Sequence, residues 1–253
     1  MREPRYYRWT DYDRSRLPNR FLAELDEAVA GPEDWTPRTG YSIGYPGWGL
    51  LYYAIACALD PQSFNLVIET GTNFGASSIV IAQAIRDSGA QGELRTVELD
   101  PSCADRAADH LEKSGVGDLV TQFRGNSIEV LPAMIGRDEL VRCAFLDGNH
   151  EHDHVVEEFE IVLPSLAPGA IVVLDNTYEI AEPGEDPRVF GALRTIVDRF
   201  GGNLVNFPFC SWYTPGIAVW QAEPFPGFGS GGAVPARGGA RRRAQGRRRR
   251  YGR

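Results

Sequence analysis

"VIETGTNFGASS" spans Val67–Ser78. An apolar run ends in Glu69-Thr70. Gly71 and Gly75 follow, and small residues then lead into a second apolar run, Ile79–Ile85. That order is a strand, a tight turn and a helix, and glycines in such a turn let another molecule approach the backbone. In open α/β sheets a turn of this kind lies beyond the carboxyl end of a strand, where ligands bind.

The same alternation continues outward. Apolar runs at residues 64–70, 93–99, 119–125, 142–147 and 170–175 read as strands. Helical patterns lie between them, and one of these stops at Lys113-Ser114-Gly115 with a basic last turn and a glycine. Near-continuous apolar strands alternating with helices make a parallel sheet covered on both faces. After the helical pattern of residues 189–200, two further strands, residues 203–209 and 216–222, flank a short CSWYTPG segment and can pair as an antiparallel hairpin. The expected fold is therefore α/β, a doubly wound, Rossmann-like, seven-stranded sheet with a terminal antiparallel hairpin. Residues 1–63 read as a helical and loop-rich cap, 64–225 as the ligand-binding domain and 226–253 as a disordered Gly/Arg-rich tail.

Charge divides the chain in two. The 253 residues carry a net −8, yet the only charged residues from Arg237 onward are nine arginines, so the remainder stands at −17. An acidic body argues against a nucleic-acid surface on the folded domain. The tail has too little apolar content to fold and reads as a solvated extension. No run approaches the roughly 20 apolar residues that span a bilayer, and the N-terminus lacks an apolar signal core. The four cysteines are scattered without a CxxC pair and read as reduced thiols. A cytoplasmic protein without membrane partners is expected, and self-association stays open.

The glycine turn narrows the ligand. A dinucleotide fingerprint needs GxGxxG, but here Asn73 stands where the middle glycine belongs, and a side chain there disfavours close wrapping of a pyrophosphate. No Gly-Lys-Ser/Thr follows for Walker-type phosphate binding. Glu98, at the end of the next strand, can accept both hydroxyls of a ribose. A ligand with a ribose and no essential phosphate is expected, and S-adenosylmethionine fits. Its ammonium would meet Glu69, and its carboxylate would meet Ser77 and N–H groups at the helix start. The loop Arg124–Ser127, with Asn126 and Ser127, would cover the adenine. Gly71, Asn73, Phe74 and Gly75 form the turn itself, and Asp147 closes the site.

With VIETGTNFG, TVELD, RGNS, FLDGNH and VVLDN in this order, residues 64–222 resemble the class I S-adenosylmethionine-dependent methyltransferases. Asp147 ends the fourth strand, and Asp175-Asn176 ends the fifth, 28 positions later. Adjacent parallel strands bring their ends side by side, so these oxygen donors suit Mg²⁺. The arrangement is similar to the metal-dependent catechol-type and macrolide-sugar-type O-methyltransferases. In those a divalent cation binds vicinal oxygens of a small hydroxylated substrate. The catechol type has a lysine where this chain has His150, whereas the sugar-modifying type has Asp-Gly-x-His, as here. The resemblance implies His150 as the general base beside Asp147, and a natural-product sugar hydroxyl as acceptor. Tyr41, Tyr45 and Trp48, with Trp212 and Tyr213 near the chain's end, are candidates for substrate contact.

Other readings share these residues. His150, His152 and His154 in HEHDH could form a zinc site if extended. A helix starting near Asp153 would break that alternation and leave His152 and His154 as surface or helix-cap neighbours. DGNH and LDN also resemble a cephalosporin-hydroxylase-like branch of the fold. A non-catalytic S-adenosylmethionine-binding partner, working through its arginine tail, is the reading from outside enzymology.

Overall fold

The computed structural model describes residues 18–22, 47–177, 183–207 and 216–222. All of these belong to one compact unit, Met1–Glu223. Helix α1 (Gly47–Ala58) precedes strand β1 (Asn65–Thr70) and helix α2 (Ala76–Ser88). Next come β2 (Gly92–Glu98), α3 (Pro101–Ser114), β3 (Val120–Arg124), α4 (Ser127–Met134), β4 (Val141–Leu146) and α5 (His152–Val162). Strand β5 (Leu166–Asp175), α6 (Arg188–Phe200), β6 (Asn203–Phe207) and β7 (Ile217–Gln221) complete the domain.

The seven strands lie in the order β3-β2-β1-β4-β5-β7-β6. The first five are parallel, and β7 pairs antiparallel with both β5 and β6, so the hairpin expected from the sequence closes the sheet. Period-two alternation splits the strands between two cores. Val67, Phe145 and Val173 face one side with Ile55 of α1 and Ile79 of α2. Ile68, Leu146 and Leu174 face the other with Phe159 of α5 and Ile196 of α6. Trp220 of β7 packs edge-on against Phe159, ring centroids 4.9 Å apart, and its Nε1 donates to Gly201 O at 2.8 Å. A buried indole needs such an acceptor.

Most strand boundaries fall within one residue of the sequence reading, and β5 departs furthest. Strand β5 begins at Leu166, four residues before the expected Ala170. Pro168 and Gly169 look like loop punctuation, but Leu166 already pairs with Val141 before a register irregularity. Helix α5 begins at His152, with Glu151 as its cap. No helix among the described residues is long and apolar enough to cross a membrane.

Candidate functional site

Register brings the site together. Thr70 of β1 pairs with Val97 on one side and Leu146 on the other. The next residues along the three strands, Gly71, Glu98 and Asp147, therefore emerge at one height. This is the crevice at the carboxyl edge where the strand order reverses between β1 and β4. A cleft of about 470 Å³ opens there, within the range of ligand sites. Gly71, Asn73, Ser77, Glu98, Asn126, Ser127, Asp147 and His150 all line it.

Gly71 is required by close approach. Its φ is +81°, and a Cβ built on it would stand 2.0 Å from the backbone oxygen of Asp147. Its N–H donates to Val97 O at 3.0 Å, which pins the turn to β2. Asn73 also has positive φ, at 47°, a conformation asparagine tolerates better than most residues. This aims its backbone N–H at Glu98 Oε2, 2.6 Å away. Glu98 Oε1 accepts from Asp100 N at 2.8 Å. Two backbone donors thus hold the carboxylate in place, and each oxygen keeps a further lone pair for a ligand hydroxyl. Gly75, φ +84°, is the N-cap of α2 and leaves the first helix N–H groups without a side-chain acceptor. Ala76 and Ser77 of that first turn line the cleft, so an anion is favoured there.

Three of the expected cofactor residues do not line this cleft: Glu69, Phe74 and Gly75. The Phe74 ring lies beneath the Arg106 guanidinium, 5.1 Å from its centroid, and Phe74 O accepts from His110 Nδ1 at 2.8 Å. Glu69 is fully buried, with Ser78 Oγ donating to its Oε2. Burial pushes its pKa up to about 7, against the pull of the Ser77, Ser78 and Thr96 hydroxyls. The folded protein holds this proton until about pH 7, whereas the unfolded carboxyl ionises near its ordinary 4.5. Stability should therefore fall as pH rises between those values. Glu69→Gln removes the cost of a buried charge. It should raise Tm at pH 8 by several degrees and by nothing at pH 4. Thermal melts at both pH values check this.

Asp147 and His150 sit at the end of β4. His150 Nε2 lies 3.2 Å from Asp147 Oδ1, and Asn176 Nδ2 lies 2.7 Å from His150 Nδ1. Asn176 itself has φ +57° and is buried, as is Asp175. Asp147, His150 and Asn176 are thereby brought together, while neither Asp175 nor Asn176 lines the cleft itself. Among the described residues, no three His, Cys, Asp or Glu side chains are gathered as a metal-binding group. Tyr41, Tyr45, Trp212 and Tyr213 lie outside the described residues, as does the side chain of Trp48.

A family model described as a methyltransferase domain matches residues 68–177, the stretch carrying every element of this cleft. That stretch is similar to a methyltransferase domain. The chain is 32% identical over 134 residues to a catechol O-methyltransferase of Mycobacterium tuberculosis, covering 51% of this chain and 57% of the relative. It is 28% identical over 159 residues to a rhamnosyl O-methyltransferase of the same species, covering 59% and 60%. It thus spans little more than half the length of these curated relatives. Among solved structures, the O-methyltransferase TomG from Streptomyces achromogenes, in complex with S-adenosylmethionine, superposes with a TM-score of 0.61 at 22% identity. That match covers 83% of this chain and 99% of the other. The O-methyltransferase from Bacillus cereus, in complex with S-adenosylhomocysteine, gives 0.60 at 20% identity over 81% and 91%. These structural likenesses carry the fold.

The cleft also holds residues that the sequence reading placed elsewhere or gave another part. Asn126 lines it, and its side-chain oxygen also caps α4, accepting from Ile128 N at 3.0 Å. His154 lines it too and is not a surface neighbour. Its Nε2 lies 2.9 Å from Ser127 Oγ and 3.4 Å from Glu158 Oε1. The legible signal was the spacing of four between His154 and Glu158, which puts both on one helical face. His152 instead turns to α6, with Nε2 2.8 Å from Thr195 Oγ1. The three histidines of HEHDH therefore have separate surroundings, because the helix starting at His152 rotates successive residues apart.

Proposed function

We propose that this chain is an S-adenosylmethionine-dependent O-methyltransferase acting on a hydroxyl of a small molecule, with a natural-product sugar as the preferred acceptor class. The observation that carries the reading is Glu98, held by two backbone N–H groups at the lip of a cleft that begins in the Gly71–Gly75 turn. A carboxylate so placed suits vicinal ribose hydroxyls, and the α2 N-terminus suits a carboxylate. The curated relatives favour oxygen as the methyl acceptor, and the rhamnosyl enzyme favours a sugar.

When bound, S-adenosylmethionine supplies an electrophilic methyl carbon on a sulfonium. The protein's contribution is chiefly positional. Glu98 holds the ribose, Ser77 and the first N–H groups of α2 hold the carboxylate, and Ser127 meets the base. His150 takes the acceptor's hydroxyl proton, and Asp147, beside Nε2, stabilises the imidazolium that forms. Asn176 rests against the His150 ring and must turn aside, or be replaced by the acceptor hydroxyl, for the proton to arrive.

Mg²⁺ is the finer part of the proposal. Two buried carboxylates and an amide oxygen at adjacent strand ends are the hard donors this cation takes. Asp147, Asp175 and Asn176 would hold it, and it would lower the pKa of the acceptor hydroxyl. If no cation is needed, the Asp147–His150 pair carries proton removal alone.

The reading is tested at Glu98. Glu98→Ala should weaken S-adenosylhomocysteine binding by about 1.5–3 kcal/mol, the scale of hydrogen bonds to a charged group. Titration calorimetry measures it. An unchanged affinity would remove the ribose assignment, and tight NAD binding by the wild type would remove the cofactor assignment.

A further inference from the structure

A chain of polar contacts, hydrogen bonds joined by one ion pair, runs beneath the cleft, and the methyl-transfer scheme above does not use its middle. Glu158 is wholly buried on α5. Its Oε2 accepts from Thr70 Oγ1 at 3.1 Å, and its Oε1 stands 3.4 Å from His154 Nε2. Thr70 Oγ1 in turn accepts from Asp147 N at 3.2 Å. At the other end, His154 Nε2 lies 2.9 Å from Ser127 Oγ, and both residues line the cleft.

The direction of these bonds follows from charge. A buried carboxylate is tolerated only beside donors, so the nitrogen facing Glu158 must carry a hydrogen and not a lone pair. That hydrogen is also the one nearest Ser127, so Ser127 Oγ accepts it. A serine hydroxyl has a single hydrogen of its own. With Oγ accepting from the histidine, that hydrogen is directed elsewhere, and the cleft is the open side. Glu158 also raises the His154 pKa, consistent with a proton kept on the ring.

We propose that Glu158 and His154 are positioning residues that fix the Ser127 hydroxyl as a donor into the cleft, selecting an acceptor atom on the ligand's base, such as an adenine ring nitrogen. This rests on the reading of the cleft as a nucleoside-binding site. Thr70 ties the same pair to the backbone of Asp147, so the wall that meets the base and the strand end that carries the acid are held by one network. Sequence reasoning could not see it, because its four side chains come from three separate elements.

The experiment is a coupled set of calorimetric titrations of the full chain with S-adenosylhomocysteine. Ser127→Ala and His154→Phe should each weaken binding about tenfold, the worth of one hydrogen bond. The double variant should lose about tenfold in total and not a hundredfold, because both changes remove one interaction. His154→Gln, which keeps an N–H donor, should return binding to within about threefold of wild type, an outcome a packing role would not give. Additive losses, or His154→Phe and His154→Gln equally weak, would overturn the proposal. A wild type that fails to bind S-adenosylhomocysteine would instead remove the nucleoside reading beneath it.

Discussion

Gly71→Ala is expected to cost about 4 kcal/mol or more in stability, at the extreme of single substitutions. Two penalties coincide. The backbone has φ +81°, and the new Cβ would lie 2.0 Å from Asp147 O and 3.0 Å from Gly148 Cα. These neighbours are backbone at the end of β4 and cannot rotate away. Gly89→Ala separates the two effects, because Gly89 has φ +67° with nothing within 4 Å of its added Cβ. That variant should lose only the conformational penalty, roughly 1–2 kcal/mol. Urea unfolding of both proteins decides the matter. Equal losses would mean that the contact between the glycine turn and Asp147 is looser than the structure has it.

His150→Ala is expected to lower the methyl-transfer rate by roughly 10²–10⁴, the usual worth of a positioned base, with S-adenosylmethionine affinity little changed. The residual rate should rise with pH as solvent takes over proton removal. EDTA separates the two forms of the proposal. If Asp147, Asp175 and Asn176 hold Mg²⁺, chelation abolishes turnover, Mg²⁺ restores it, and Asp175→Ala reproduces the chelated state. If turnover survives EDTA while His150→Ala is still slow, the base works without a cation. Full activity of His150→Ala would remove the role assigned to the DGNH segment altogether.

The strands were legible because each is a short apolar run with turn residues at its ends, and five such runs leave few topologies. The crevice was legible for a related reason. Parallel strands of similar length put Gly71, Glu98 and Asp147 at matching ends, and the sequence shows which residue follows each run. Less could be read of what those residues touch. Asn73 draws attention in the sequence as a side chain where a glycine would sit, yet its structural role is a backbone N–H that holds Glu98. Asn126 reads in the sequence as a ligand contact, and the structure adds that its oxygen caps the first turn of α4. His154 escaped because nothing local shows that Glu158, its partner four residues on, is buried. Glu158 looks like one more surface glutamate in VVEEFE until the fold buries it against Thr70. Pairings across separate elements depend on packing, and local pattern does not encode them.

A crystal structure of the full chain with S-adenosylhomocysteine and Mg²⁺ would show how the cleft is filled. The ribose should lie on Glu98, the carboxylate at the first turn of α2, the base beside Ser127, and the sulfur facing Asp147 and His150. A ligand bound elsewhere, or a cleft that stays closed to it while the protein binds a dinucleotide, would contradict the account.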